Sequence, residues 1–170
     1  MMADAHTYAG RMETPVGAVT VLANDHAVTE LLWANAPADE ATKSNAIAQQ
    51  ALDALARYFD GDGGALSDLP TAPAVTDFRA RVLSAMRRIP PGTTETYGAL
   101  AKAAGVSPGA VRAVGSACAT NPIPIIIPCH RVVAAGGKMG GFSGLGGLDT
   151  KEWLLRHEGW NGAAQSELAL

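Results

Sequence analysis

The sequence predicts a small α/β domain, made of a small sheet plus a helix, followed by a mainly α domain that contains a helix-turn-helix. Two β-type segments joined by a turn precede one amphipathic helical segment in the first half. A stretch rich in Gly, Pro, Asp and Ser, residues 61–74, then interrupts the pattern. Helical periodicity returns after it. We therefore expect two domains, residues 1–74 including the linker and residues 75–170.

The first domain is expected to hold a β-hairpin and a helix. Residues 16–22 and 28–33 are rich in apolar and β-branched side chains, and Asn24-Asp25 between them is typical of a turn. Apolar side chains recur at helical spacing over residues 44–59, and a run of glycines and aspartate ends the helix. No histidine here has cysteine partners at ligand spacing, so a metal site is not expected.

The second domain is expected to begin with a helix and continue with a helix-turn-helix. An apolar stripe runs from Phe78 to Ile89 and ends at Pro90-Pro91-Gly92. Helical segments follow at residues 97–104 and 108–120, joined by Gly105-Val106-Ser107. The turn offers a glycine C-cap, a serine N-cap and a proline at the first helical position. The pattern alone leaves both DNA binding and plain helix packing open.

The second of these helices is poor in side chains that read bases. Only Arg112 and Ser116 could pair with base edges, so sequence-specific readout is not expected. Small residues permit a shallow fit into a minor groove, with Arg112 free to enter the base stack. They would equally allow tight packing against the next segment. The two interpretations are compatible on different faces.

Charge divides the chain in the same way as the elements do. Residues 1–75 hold three basic and ten acidic side chains, whereas residues 76–170 hold ten basic and six acidic ones. Only the second half would be attracted to a polyanion, and its modest excess favours weak, non-specific nucleic-acid binding. A chance asymmetry is the alternative.

Composition excludes several protein classes. With 48% hydrophobic and 17% charged residues the chain is typical of a soluble globular protein. The sequence contains no run of membrane-spanning length and no basic-then-apolar start like that of a signal peptide, so we expect a cytoplasmic protein. Cys118 and Cys129 are too far apart for a CxxC motif and are expected to be free thiols. No cofactor or metal is expected.

The segment from Asn121 to Val132 is the strongest functional signal. It is apolar and proline-bounded, a buried strand or a stiff connector, and it ends in Cys129-His130. A thiol beside an imidazole, where the core meets the surface, is typical of a reactive cysteine. An ordinary core cysteine is the alternative.

Several motifs together resemble one family. In order and spacing, residues 76–160 are similar to the O6-alkylguanine-DNA alkyltransferases. The motifs are Tyr97, the helix with Arg112, Asn121-Pro122, Pro128-Cys129-His130-Arg131-Val132, Gly141-Phe142-Ser143-Gly144 and residues 151–159. The first domain resembles the family's smaller α/β domain in outline only.

The resemblance implies a reaction and its catalytic residues. Cys129 would attack the alkyl carbon on guanine O6 and keep the group as a permanent thioether, so one protein repairs one lesion. His130 would act through a water, Glu158 would orient it, and Asn121 would brace the turn that leads to the site. O4-alkylthymine is a further candidate substrate, and the partner would be duplex DNA bound by a monomer through the minor groove.

The resemblance also implies binding residues. Arg112 would fill the stack vacated by a flipped base, and Tyr97 would help to swing the phosphate and bond the base. The other implied contacts to the base are Val132, Phe142, Ser143 and Lys151, and those to DNA are Ala110, Ala113 and Ser116. Core packing is the alternative for Tyr97 and Phe142.

Two departures from the family are visible. Residues 144–150 form a longer, glycine-rich loop, and Cys118 stands on a pocket-lining helix where the family often has a larger apolar residue. We expect Cys118 to be a packing residue and not a second acceptor. A lesion-marking relative without transfer would lack Cys129, and a cysteine hydrolase would act on acyl groups and need no helix-turn-helix.

Overall fold

The computed structural model describes residues 7–34, 43–142 and 144–162. The chain forms two compact units, Met1–Ala74 and Val75–Leu170. The first carries a small sheet and a helix, and the second is mainly helical with a helix-turn-helix. The predicted fold class is thereby confirmed.

An antiparallel sheet of three strands forms the first unit's β-layer, in the order β1-β2-β3. The strands are β1 (Tyr8–Met12), β2 (Val19–Ala23) and β3 (Val28–Trp33). The predicted hairpin is β2–β3, and its register places Val21 opposite Leu31. Strand β1 was not predicted, because Gly10 and Arg11 interrupt its apolar alternation.

The helix of the first unit, α1, spans Ala46–Phe59. It begins two residues later than predicted, because the Asn45 side chain caps it by accepting a hydrogen bond from the Ala48 N–H at 2.8 Å. Its apolar stripe is buried: Ala48, Ala51, Ala54, Leu55 and Tyr58. Part of the predicted linker packs on the sheet, since Val28 donates to Pro70 and accepts from Ala72.

In the second unit, α2 (Asp77–Met86) precedes the helix-turn-helix, which consists of α3 (Tyr97–Ala103) and α4 (Val111–Ala119). The predicted turn chemistry is confirmed. Gly105 has a positive φ of 71°, which favours glycine, and the Ser107 hydroxyl accepts from the Gly109 N–H at 3.2 Å. A 3₁₀ turn, Pro108–Ala110, leads into α4.

Two short strands and a last helix complete the unit. β4 (Glu95–Thr96) pairs in parallel with β5 (Val132–Val133), and α5 spans Gly147–His157. The predicted loop over residues 144–150 is therefore wrong in its second half, because the first turn of α5 begins at Gly147. The described helices include none long and apolar enough to cross a membrane.

The apolar segment before Cys129 is a buried connector and not a strand. Its residues turn tightly, with Ile127 N–H donating to Ile123 at 2.8 Å. Ile125 has a φ of 71°, which is strained for a β-branched residue. The backbone N–H of Cys129 then donates to Ile127 at 2.8 Å and starts a 3₁₀ turn, Cys129–Arg131.

Candidate active site

A cavity of about 260 Å³ opens beside Cys129. Helix α4 presents only small side chains to it, and a Cβ added at Gly115 would meet no atom within 4 Å. The space between the elements is therefore left open for a ligand. The lining residues are Tyr97, Gly115, Cys118, Ala119, Cys129, Gly141 and Phe142.

The two thiols of the cavity are both free and buried. Burial raises the pKa of Cys129, while a hydrogen bond with the Asn121 side chain and the charge of Lys151 act in the opposite direction. Burial also raises the pKa of Cys118, to about 12. Because Cys129 is a thiol at neutral pH, its use as a nucleophile requires a base.

Asn121 fixes both ends of the connector that leads to Cys129. Its amide Nδ2 donates to the Ile127 carbonyl at 2.9 Å, and its Oδ1 accepts from the Ile123 N–H at 2.9 Å. The same side chain forms the hydrogen bond that partly offsets the burial-raised pKa of Cys129. Asn121 thus joins the shape of the strained turn to the thiol's position.

A buried cluster of one carboxylate, one imidazole and one guanidinium follows Cys129 in the structure. The His130 Nε2 lies 2.7 Å from Glu158 Oε2. Arg131 donates from Nε and Nη2 to the two Glu158 oxygens, each at 2.9 Å, and from Nη1 to the Ile89 carbonyl at 2.6 Å. The side chains of His130 and Glu158 are fully buried.

Burial and charge pairing within this cluster determine the protonation states of Glu158 and His130. Burial acts to raise the pKa of Glu158, but the charges and hydrogen bonds of His130 and Arg131 outweigh it and hold the pKa well below its usual range. Burial lowers the pKa of His130, although Glu158 acts in the opposite direction. The imidazole is therefore neutral, donates Nε2–H to the carboxylate, and keeps Nδ1 as a base. The Nδ1 atom has no hydrogen bond within the described part of the chain.

Lys151 organises the loop on the other side of Cys129. It is fully buried on α5, and its ammonium donates to the carbonyls of Val132, Met139 and Gly141 at 2.7, 2.5 and 3.0 Å. Burial lowers the pKa of Lys151 to about 8, so it is mostly charged at neutral pH. Three backbone carbonyls from residues 132–141 therefore converge on one ammonium group.

Tyr97 begins α3 and faces the same loop. Its pKa is raised by burial and by the neighbouring thiols, and its hydroxyl forms a hydrogen bond with the backbone of Gly141. Gly140 approaches so closely that an added Cβ would lie 3.3 Å from the hydroxyl. The phenol thus stands at the cavity wall with its oxygen at the loop.

Helix α4 has two distinct faces. Val114, Ala117 and Cys118 are buried, whereas Arg112, Ala113 and Ser116 are exposed and Ala110 is half-buried. The Arg79 guanidinium reaches this exposed face and donates to the Ser116 hydroxyl at 3.4 Å. The small residues therefore serve close packing on one face and leave a shallow surface with one long cation on the other.

Two family models match the chain. The 6-O-methylguanine DNA methyltransferase ribonuclease-like domain matches residues 7–73, and the DNA binding domain of the same name matches residues 77–160. A methylated-DNA–protein-cysteine methyltransferase of Mycolicibacterium paratuberculosis is 36% identical over 151 residues, which cover 86% of this chain and 89% of the relative. The chain belongs to the 6-O-methylguanine DNA methyltransferase family. The resemblance found in the motifs is confirmed.

Further relatives of the methyltransferase family extend the comparison. One from Shigella flexneri is 48% identical over 108 residues, 64% of this chain, and the match spans only 61% of that relative's length. A crystal structure of Mycobacterium tuberculosis OGT in complex with DNA is similar with a TM-score of 0.75 and 36% identity, covering 89% of this chain and 92% of that one.

The structure brings most of the residues predicted from the family together. Cys129, Tyr97 and Phe142 line the cavity, while His130 and Glu158 form the contact described above. Val132 and Lys151 do not line it but are hydrogen-bonded to each other. Ser143 lies outside the described residues. The functional roles of these residues, and of the four on α4, stay predictions.

The resemblance to the family assigned no role to Arg131. It appeared only as one letter of the Pro-Cys-His-Arg-Val motif, yet it is 6% exposed and binds Glu158 with two nitrogens. One signal was available in the sequence. An arginine within an otherwise buried apolar segment requires a buried partner, and Glu158 was the acid already assigned to this site.

Proposed function

We propose that this protein repairs DNA by transferring the alkyl group of O6-alkylguanine in duplex DNA to its own Cys129. The position of Cys129 carries the proposal, because its thiol lines a cavity and the next residue, His130, contacts Glu158. A nucleophile beside a base that a third group orients is the arrangement of nucleophilic catalysis. Family membership and the relative crystallised with DNA support the same reaction.

The chemistry begins with loss of the thiol proton. Neutral His130 accepts it at Nδ1 through a water, and Glu158 stabilises the imidazolium that forms. The Cys129 sulfur then attacks the alkyl carbon, a C–S bond forms, and the bond from that carbon to guanine O6 breaks. Its electron pair stays with the base, which takes up a proton at the ring and leaves as guanine. O4-alkylthymine offers the same carbon–oxygen bond.

The acceptor is used once. A thioether sulfur is a poor leaving group that water does not displace. The alkyl group therefore remains on the sulfur, and each protein molecule repairs one lesion.

The target base reaches the cavity by leaving the duplex. Unstacking costs a few kcal/mol, which an inserted side chain offsets. Arg112 is the long exposed cation on α4 and fills the vacated stack, while Tyr97 and Phe142 receive the base at the cavity wall. Base contacts involve backbone groups near Cys129 and Val132, and Ser143 belongs to the same set by family resemblance.

The DNA surface is the exposed face of α4. Its small residues Ala113 and Ser116, with Ala110 in the turn that leads into the helix, permit close approach to a minor groove and read little sequence. The excess of basic over acidic side chains in residues 76–170 attracts phosphates without regard to sequence. We propose that a monomer binds in this way.

Intact-protein mass after incubation with duplex DNA containing O6-methylguanine tests the proposal. We expect one added methyl group per protein molecule, located on Cys129 by peptide mapping. The matched control is the same duplex with unmodified guanine, which should add nothing. A methyl group on Cys118, or no addition to a folded protein, would contradict the assignment.

A further inference from the structure

We propose that Arg131 is a positioning residue for alkyl transfer: it neutralises Glu158 and thereby keeps His130 in the uncharged form that accepts the Cys129 proton. The inference rests on the proposed function, because it concerns the proton path of that reaction. It assigns a task to a buried cation that touches neither the cavity nor the thiol.

The geometry is a two-point clamp. Arg131 Nε and Nη2 each lie 2.9 Å from a different oxygen of Glu158, so both oxygens are engaged by one guanidinium. The third contact, from Nη1 to the Ile89 carbonyl at 2.6 Å, fixes the plane of the guanidinium. Bidentate pairs of this kind combine charge compensation with a defined orientation.

His130 shares the clamped carboxylate. Its Nε2 lies 2.7 Å from Oε2, the same oxygen that accepts from Arg131 Nη2. An unpaired buried carboxylate at this distance would hold a second proton on the imidazole, because an opposite charge favours the charged form. With the guanidinium present, the carboxylate is already compensated. Burial, which lowers the pKa of His130, is then the larger effect. The imidazole stays neutral, and its Nδ1 can act as the base.

Few other groups act on the imidazole. In the described ranges, the charged groups that influence His130 are Glu158, Arg131 and Lys151, and the two cations both favour the neutral ring. The chain neighbour Cys129 is a thiol, and a further contact to the carboxylate, from the Gly92 N–H at 3.4 Å, comes from an uncharged donor. Glu158 is therefore the one influence toward protonation, and Arg131 is the group that offsets it directly.

A lysine would not replace this arginine. A single ammonium has no fork that spans two carboxylate oxygens while also reaching the Ile89 carbonyl. It would compensate the charge of Glu158 but orient it less well. Charge and orientation can therefore be separated experimentally.

The test follows the His130 ring by NMR in protein labelled with ¹⁵N-histidine, with the signal assigned by its loss in His130→Asn. In the wild type we expect a neutral ring protonated at Nε2 throughout pH 6 to 8. In Arg131→Met we expect the midpoint of ring protonation to rise by a unit or more, about tenfold in the proton equilibrium. Arg131→Lys should keep the wild-type protonation state.

The double variant Arg131→Met/Glu158→Gln protects the test against misfolding. It removes both members of the buried pair, so no unpaired charge is left to unfold the unit. We expect its ring to be neutral again at pH 6 to 8, although less well oriented. A midpoint that is the same in all four proteins would overturn the role of Arg131.

Alkyl transfer from the free base O6-benzylguanine gives the kinetic arm. In Arg131→Met the pH at which the rate falls to half should move up together with the ring midpoint, by the same unit or more, because the protonated ring cannot accept a proton. A loss equal at all pH values, with an unchanged ring midpoint, would mean that Arg131 only supports the fold. Failure of the wild type to gain a benzyl group would instead overturn the proposed function, so the two failures are distinguishable.

Discussion

The two units of this chain treat buried polarity differently. Within the described residues, the buried core of the first unit is apolar except for Thr20. The second unit buries six polar or charged side chains: Thr94, His130, Arg131, Thr150, Lys151 and Glu158. Four of these are ionisable: His130 and Arg131 follow Cys129 in the sequence and bind Glu158, and Lys151 binds the carbonyl of Val132.

This difference indicates that the buried polar side chains of the second unit stabilise it less than buried apolar ones would. A core such as that around Leu55 and Tyr58 is stabilised by removing apolar surface from water. Buried charges contribute little net stability even when paired, and leaving one unpaired costs several kcal/mol. A unit that buries three charges, on Arg131, Lys151 and Glu158, does so because the site requires them. By this criterion we expect the second unit to carry the proposed chemistry and the first to support the fold.

The largest effect on activity is expected from replacing the sulfur of Cys129 in the second unit. Cys129→Ser should abolish alkyl transfer while the protein still binds duplex DNA, because a serine hydroxyl is a far weaker nucleophile than a thiolate at neutral pH. Intact mass after incubation with O6-methylguanine DNA, together with a binding isotherm at fixed salt, measures both properties.

Cys118→Ser is the matched control, since both thiols line the same cavity. It should still gain one methyl group, whatever its rate. Two outcomes would count against a single acceptor at Cys129: methyl addition to Cys129→Ser, or none to Cys118→Ser.

Local patterns predicted much of this architecture. The β2–β3 hairpin, α1 and the capped turn between α3 and α4 all follow from short-range rules, in which a few neighbouring residues decide the backbone. The Cys129-His130 pair was visible for the same reason. Its carboxylate, 28 positions away at Glu158, was placed by resemblance and is in contact in the structure.

The remaining features depend on particular hydrogen bonds that residue preferences do not show. Glycines around position 147 predict a loop, but α5 starts there because Gly147 N–H donates to Gly144 and the Thr150 hydroxyl donates to Leu145. The turn at Ile125 contradicts the preferences of a β-branched residue and is held by Asn121 on either side. The conformational preferences of single residues carry no signal for such hydrogen bonds, which here override them.

The next largest effect concerns the two faces of α4. Arg112→Ala should slow repair of O6-methylguanine in duplex DNA by about ten- to a hundredfold, because the unstacked state loses its compensation of a few kcal/mol. Reaction with free O6-benzylguanine, which needs no extrusion from a duplex, should change far less. Single-turnover rates on both substrates, at saturating DNA and fixed salt, measure the difference.

Lys102→Ala supplies the control for Arg112, because Lys102 is an exposed cation on α3 in the same unit. It should weaken phosphate attraction and have little effect at saturating DNA. Equal losses on both substrates in Arg112→Ala would mean that this arginine supports the fold or the cavity. The flipping role would then have to be abandoned.

The smallest expected effect is a difference between the two units in how their stability depends on pH. His130 is fully buried and its pKa is lowered from its ordinary value of 6.5, so below about pH 6.5 the unfolded chain binds a proton that the folded one does not. Stability of the second unit should therefore fall as pH drops from 7 to 5, by up to about 2 kcal/mol from this residue.

The variant His130→Asn should remove this dependence of stability on pH. The variant His26→Asn, at an exposed position in the first unit, should leave it unchanged. Hydrogen exchange of peptides from each unit, corrected for the intrinsic effect of pH, gives the two opening free energies separately. An unchanged slope in His130→Asn would mean that His130 binds the same number of protons in the folded and unfolded chain between pH 7 and 5. The imidazole would then protonate within the fold as pH drops, and the buried neutral base on which both the transfer step and the Arg131 clamp depend would be lost.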